Sequence, residues 1–172
     1  MLFDMQQETL PREDLEALQL RRLRNLCARV YATVPFYAKR FAEVGVTPDD
    51  IKTLDDVRRL PFTEKQDLRN HYPFGLFAVP KDHIVRLHAS SGTTGKRKIL
   101  AYTARDVDMF SLQIARCFEL AGFTPQDRMQ LAVGYGLWTA GAGFQAGSER
   151  LGMLTVPVGP GNLEMHLQLL QD

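Results

Sequence analysis

The sequence predicts an α/β protein, with an N-terminal helical subdomain followed by a partial, largely parallel sheet with flanking helices. Three observations carry that prediction. Leu20, Leu23, Cys27, Val30 and Tyr31 fall on one face of a 3.6-residue period, the pattern of an amphipathic helix. From Asp82 onward, short apolar runs alternate with helical patterns, the texture of strand–helix–strand units. The texture changes near residue 80, so the expected domains are residues 1–81 and 82–172.

Each element can be justified in turn. Thr9-Leu10-Pro11 is a helix start signal and Val34-Pro35 a stop signal around the first long helix. Thr53 with Asp56, and Thr63 with Gln66, have the spacing of capping boxes and predict two shorter helices. Tyr72-Pro73-Phe74-Gly75 and Val79-Pro80 predict an irregular connection. Ile84-Val85-Arg86-Leu87-His88 and Lys98-Ile99-Leu100-Ala101-Tyr102 read as strands. Thr103 with Asp106 opens a helix whose apolar positions are Val107, Phe110, Ile114 and Phe118, with Gly122 near its end. Arg128 to Val133 is a third strand. A helix rich in small residues runs from about Thr139 to Leu151 and stops at Gly152. Met153 to Val158 is a fourth strand, and Asn162 caps a last helix.

Composition narrows the class. The chain has 172 residues, enough to bury a core without disulfides or metals. Its net charge of +1, from 21 basic and 20 acidic side chains, calls for neither nucleic acid nor an anionic membrane. The basic run Arg21, Arg22, Arg24 and Arg29 is balanced by Glu13, Asp14 and Glu16, as on a solvated helix face. Cys27 and Cys117, far apart, read as two buried thiols in a reducing cytosol. The start Met1-Leu2-Phe3-Asp4 lacks the pattern of a signal peptide, and no apolar run approaches the roughly 18 residues of a membrane span. The expected location is cytoplasmic. His71, His83, His88 and His166 show no metal-ligand spacing, so no metal site is expected.

The stretch that carries chemistry is Ser90-Ser91-Gly92-Thr93-Thr94-Gly95-Lys96, between the first two predicted strands. Its glycines let the backbone turn several N–H groups toward one point. Four hydroxyls add donors without bulk, and Lys96 adds a positive charge. Such convergence suits a polyphosphate. The run is not a Walker A motif. Ser90 stands where that motif needs glycine, and Arg97 stands where it needs Ser or Thr. Gly141-Ala142-Gly143-Phe144-Gln145-Ala146-Gly147 is one residue too long for a dinucleotide fingerprint and starts inside a helical pattern. No G-x-S-x-G is present. His88, two residues before the loop, reads either as a ligand contact or as the plain end of a strand.

The Ser90–Lys96 loop closely resembles the phosphate-binding signature of adenylate-forming enzymes: acyl-CoA synthetases, peptide-synthetase adenylation domains and luciferases. Flanking stretches are similar to the phenylacetate–CoA ligase branch. These are Val34-Pro35-Phe36-Tyr37, Leu60-Pro61-Phe62-Thr63, Tyr72-Pro73-Phe74-Gly75-Leu76-Phe77-Ala78, Gly134-Tyr135-Gly136-Leu137 and Gly147-Ser148-Glu149-Arg150-Leu151-Gly152. One departure is Arg97, where the branch usually has proline.

The resemblance implies a truncated adenylate-forming N-terminal domain, because members are over twice this long. An acidic segment, a ribose-binding aspartate, a hinge and a C-terminal domain with the catalytic lysine would follow residue 172, so the catalytic residues are expected beyond it. It also implies ATP and coenzyme A as substrates and Mg²⁺ as cofactor. A carboxylate attacks the α-phosphorus of ATP, pyrophosphate leaves, and the thiol of coenzyme A cleaves the acyl-adenylate. Ser90 to Lys96 then form the phosphate cradle, with Ser91, Thr93, Thr94 and Lys96 on the β- and γ-phosphates. Tyr135, Gly136, Gly141 and Gly143 line an aryl-acid pocket, although Tyr135 and Trp138 equally suit ordinary core aromatics. A homodimer is a further implication.

Overall fold

The computed structural model describes residues 4–90 and 97–171. The chain divides into two compact units, Thr9–His83 and a second made of Met1–Glu8 with Ile84–Asp172.

The Thr9–His83 unit is helical. Helix α2 (Arg12–Thr33) carries the predicted apolar face. It ends at Val34, whose extended φ of −122° breaks the helical path. Pro35 does not end helical structure, however: it opens helix α3 (Pro35–Glu43), where its missing N–H costs nothing and its ring fixes a helical φ. The core of this unit joins Cys27 of α2 to Phe41 of α3, Val46 and Ile51, with Leu20, Leu23 and Leu60 packed around them. Tyr31 sets its ring edge-on to Phe41 with centroids 5.7 Å apart.

The rest of this unit is built from short turns tied by carboxylates. Pro48–Asp50 and Leu54–Arg59 are 3₁₀ turns, and α4 (Lys65–Asn70) is a short helix. The Thr53–Asp56 capping box is present, but it opens a 3₁₀ segment. Asp56 Oδ2 accepts from Thr53 N at 2.8 Å, Thr53 Oγ1 at 2.9 Å and Lys52 N at 3.0 Å. The box expected at Thr63 and Gln66 lies one residue on, at Glu64 and Asp67. Thr63 spends its hydroxyl on Tyr37 instead, donating at 3.1 Å. A box between Thr47 and Asp50, which the sequence reading passed over, opens the first 3₁₀ turn.

The second unit holds helix α1 (Met5–Glu8) and the strands. Glu8 pairs with Arg116 at 2.6 Å, so the start of the chain is fastened to α5 (Ala104–Leu120). Strand β1 (Ile84–Ala89) runs antiparallel to β2 (Ile99–Thr103), and β3 (Arg128–Gln130) runs parallel to β4 (Leu154–Val156). The expectation of a largely parallel sheet is therefore corrected: among the described residues there are two separate two-stranded sheets, one of each kind. The connections explain it. Only residues 90–98 separate β1 from β2, fewer than the roughly dozen residues that a parallel crossover needs, which suits an antiparallel pair. β3 and β4 are joined through helix α6 (Ala140–Leu151), the crossover that a parallel pair requires. Both strands of that pair are also shorter than expected.

Thr103 caps α5 as predicted: Asp106 N donates to its hydroxyl at 3.2 Å, and Asp106 Oδ2 accepts from Thr103 N at 2.9 Å. Gly152 ends α6 at a φ of +92°, a conformation that glycine adopts without penalty. Asn162 precedes α7 (Leu163–Gln171), its side-chain oxygen accepting from Met165 N at 3.2 Å. The core of the unit gathers Ala115 of α5, Leu151 of α6 and Met153, with Phe118 and Met129 against them. Cys117, expected to be buried, is exposed, whereas Cys27 is buried.

Helices α5 and α6 meet along a face of α6 without side chains. A Cβ on Gly143 would stand 2.7 Å from Phe110 Cε1. On Gly147 it would stand 2.6 Å from Ile114 Cβ and 3.2 Å from Ala115 N. The phenyl ring can tilt, but the branched Ile114 stem and the backbone behind it cannot. Gly147→Ala is therefore expected to destabilise the chain by about 1–2 kcal/mol, overpacking outweighing the helix propensity gained. Gly136→Ala, where nothing lies within 4 Å of the added carbon, should stay within about 0.5 kcal/mol of the parent. Urea unfolding midpoints at unchanged slope measure both.

The capping carboxylates predict an acid response. Asp56 is held down to about 2, first by the Thr53 N–H, then by the Thr53 hydroxyl and the Lys52 N–H. Asp50 is lowered in the same way by the Thr47 hydroxyl and N–H. A carboxyl whose folded pKa lies below its unfolded value of roughly 3.9 stabilises fully above that value and loses the contribution as pH falls through the folded one. Stability should thus decline between about pH 4 and pH 2. Asp56→Asn should flatten that decline, which denaturation midpoints taken across the window will show.

Candidate functional site

The site predicted from sequence begins where β1 ends. Ser90 is half-buried and closes the base of the loop. Its N–H donates to Lys98 O at 3.1 Å, and its Oγ accepts from Lys98 N at 3.1 Å. These bonds extend the β1–β2 ladder beyond Ala89 and Ile99 and bring the two ends of the loop together. Ser91, Gly92, Thr93, Thr94, Gly95 and Lys96 lie outside the described residues.

The second predicted group lies on the segment between β3 and α6, and it is brought to the same strand end. Leu137 O accepts from Ala89 N at 2.8 Å. It also lies 3.2 Å from His88 Nδ1. The stretch 134–138 is therefore pinned beside the end of β1. His88 is buried and edge-on to Tyr102, with ring centroids 5.5 Å apart.

Tyr135 is half-buried, and its phenolic oxygen is covered yet has no hydrogen-bond partner among the described residues. Burial raises its pKa, and the Glu149 charge raises it further, so the phenol stays neutral. A neutral hydroxyl without a partner beside an aromatic ring suits a ligand that is mostly apolar and carries one polar end. Gly136 is exposed, with open space where a side chain would stand. Trp138 is exposed as well, at 61%, so it is no core aromatic.

Gly141 and Gly143 require a correction. The sequence reading gave them to the pocket as small residues that leave room for a ring. That room is already filled by the protein. A Cβ on Gly141 would meet Gly134 O at 2.6 Å, and the space beside Gly143 belongs to Phe110. Both glycines are buried and serve close packing. Gly141 still shapes the site, because only a bare Cα lets the Gly134–Tyr135 backbone settle on the start of α6. Sequence reasoning left His88 undecided between two roles, and its position two residues before the loop was the available signal.

Among the described residues no three His, Cys, Asp or Glu side chains converge in a way that could hold a metal ion. No described helix is long and apolar enough to cross a membrane. A groove of about 650 Å³ elsewhere in the unit runs along α7, lined by Gln130, Ala132, Asn162, Leu163, His166 and Leu170 among others. His166 is fully engaged there, with Nε2 2.9 Å from Gly159 O and Nδ1 2.5 Å from Gln130 Nε2.

Comparison with known proteins places this geometry. No protein-family model matches the chain. A phenylacetate-coenzyme A ligase of Thermus thermophilus is 49% identical over 172 residues, which is 100% of this chain and 39% of that protein. The phenylacetate-coenzyme A ligase of Escherichia coli is 46% identical over 165 residues, 96% of this chain and 38% of that protein. Among solved structures, a 2-hydroxyisobutyryl-CoA ligase in complex with 2-HIB-AMP and CoA, in its thioesterification state, matches with a TM-score of 0.84 at 32% identity. That match covers 95% of this chain and 35% of the ligase. The same ligase in an open conformation gives a TM-score of 0.83 at 30% identity, over 95% of this chain and 39% of that one. The chain thus spans about two fifths of the length of the curated relatives it matches. Identity near one half from end to end makes the chain homologous along its whole length to a part of the phenylacetate-coenzyme A ligases, with the fold of the corresponding part of a CoA ligase.

Proposed function

We propose that this chain is part of the machinery for ATP-dependent ligation of phenylacetate, or a related aryl acid, to coenzyme A through an acyl-adenylate. The observation that carries the reading is the end-to-end identity of 45–49% with phenylacetate-coenzyme A ligases. The geometry supports it: the strand end at Ala89 and Ser90, where the hydroxyl-rich run begins, is bonded through Ala89 to Leu137, next to the segment that offers Tyr135 and the open face of Gly136. In this reading residues 1–81 form a helical subdomain and residues 82–172 part of the nucleotide-binding subdomain. The protein acts in the cytoplasm, as a homodimer, on small molecules.

The chemistry divides between phosphates and acid. Ser90 anchors the loop, and Ser91, Gly92, Thr93, Thr94, Gly95 and Lys96 offer N–H groups, hydroxyls and one cation to the β- and γ-phosphates. Donors fixed in place stabilise the charge that gathers on departing pyrophosphate without reorganising. Mg²⁺ would neutralise part of that charge when bound with the nucleotide. Tyr135 and Gly136 receive the aryl ring. The related possibility of an aliphatic acid has one observation behind it, the match to a ligase solved with 2-HIB-AMP.

Two outcomes follow. The 172-residue chain alone should make no acyl-CoA from phenylacetate, ATP and coenzyme A, because a chain spanning two fifths of its relatives leaves most reacting groups unpositioned. Product detected by chromatography would refute that. In a full-length ligase carrying this segment, Lys96→Ala should lower kcat/KM for ATP in pyrophosphate exchange by about 10–1000-fold, the scale for removing one donor to a charged transition state. Thr94→Val should act on the same step more weakly. Thiol transfer from pre-formed acyl-adenylate should change less, since pyrophosphate has already left. If both variants exchange pyrophosphate like the parent, the phosphate-cradle reading is wrong.

A further inference from the structure

We propose that His88 is a positioning residue, whose Nδ1–H holds the Leu137 carbonyl and so fixes the Tyr135–Gly136 face relative to the strand end at Ser90. Its consequence for ligand binding rests on the acid-pocket reading above; the tie itself does not. His88 is only 4% exposed. A carbonyl can only accept, so the 3.2 Å contact with Leu137 O requires the ring proton to sit on Nδ1. Nε2 is then a bare lone pair, and it is buried without a partner among the described residues. An apolar side chain of similar size would avoid that desolvation penalty. What the imidazole adds is the Nδ1–H donor.

The ring is held in that orientation from the side. Tyr102 meets it edge-on at an interplanar angle of 87°. Tyr102 in turn packs against Phe110 at 5.9 Å, and Phe110 fills the space beside Gly143. The 134–138 stretch is thereby fixed at two points. Gly134 rests on Gly141, and Leu137 takes two donors, from Ala89 and His88. Between those points stand Tyr135 and the open Gly136. Removing the His88 donor leaves Leu137 on the Ala89 N–H alone, which loosens that end of the stretch and leaves the other in place.

The chain contains a single tryptophan, Trp138, next to Leu137, so the tie can be read directly. Imidazole ¹⁵N correlation spectra of the 172-residue chain should show His88 with its proton on Nδ1. A proton on Nε2 would overturn the proposal. His88→Leu should lower Trp138 emission anisotropy. It should also weaken phenylacetate binding, followed by Trp138 quenching, by about 3–10-fold, the loss of one hydrogen bond. His88→Asn, whose amide N–H stands near the Nδ1 position, should restore both to within about twofold. A merely structural role predicts lower melting temperatures in both variants with anisotropy and affinity unchanged, and that result would overturn the proposal. If the parent chain shows no phenylacetate response, the acid-pocket reading fails, and with it the ligand half of this inference. The tautomer and the anisotropy of His88→Asn and His88→Leu then still decide whether the tie exists.

Discussion

The sheet-bearing unit depends on a bare face of one helix. Helix α6 buries Gly141, Gly143 and Gly147, and each admits a different neighbour: the Gly134–Tyr135 backbone, the Phe110 ring and the Ile114 stem. Each glycine costs a helix roughly 1 kcal/mol against alanine, so three in twelve residues are tolerable only where packing returns more. Here the return is close approach. With the glycines against α5, Arg150 reaches the Asp108 carboxylate and, at 3.0 Å, the Ser111 hydroxyl, and Ser148 shares a 2.7 Å hydrogen bond with Thr155 beyond β4's first residue. The same helix that carries the parallel crossover therefore also locates the site loop through Gly141.

The helical unit rests on a different economy, local hydrogen bonding in place of close helix packing. Its core is small, and the chain between α3 and α4 is held by turns in which one carboxylate oxygen gathers two or three donors: Asp50 at Thr47 and Asp56 at Thr53 and Lys52. The device recurs in the other unit, at Thr103 with Asp106 and at Thr124 with Asp127. At Asp50 and Asp56 these donors, threonine hydroxyls and backbone N–H groups, favour the charged form of the carboxylate. That ties both the turn structure and its sensitivity to acid to the same few atoms.

What was legible in the sequence follows from how local each signal is. Capping at Thr53 and Thr103, the helical face of Leu20 to Cys27 and the stop at Gly152 involve neighbours within one or two turns, and each lies where the sequence places it. The Thr63 box slipped by one residue because Tyr37, far away in sequence, claimed that hydroxyl. Alternation by itself suggests parallel strands, whereas the short span between His88 and Lys98 is the feature that informs on direction. For the site, the residue types around Ser90 draw attention to the strand end that the structure ties to the 134–138 stretch. Gly141 and Gly143 misled because a glycine in sequence looks the same whether it makes room for a ligand or for a neighbouring helix. Only the positions of Phe110 and Gly134 separate the two. The bond between β1's end and Leu137 spans some fifty residues and leaves no local trace at all.

The division of labour between fold and specificity follows from these placements. A CoA ligase solved with an aliphatic acyl-adenylate matches nearly the whole chain at about 30% identity, so the scaffold by itself does not select an acid. In the proposed reading, selection must lie on surfaces that the scaffold leaves free. The packed glycines are not free, since any side chain there would move α5 or the loop backbone. Within the pinned 134–138 stretch, Tyr135 and Gly136 are the positions that can change character without disturbing either anchor. Gly136 meets nothing within 4 Å, and the Tyr135 hydroxyl is committed to no partner among the described residues. Under the proposed function, acid preference would then shift by substitution at these two positions with the Ser90–Lys98 hydrogen bonds and the Ala89–Leu137 anchor left in place.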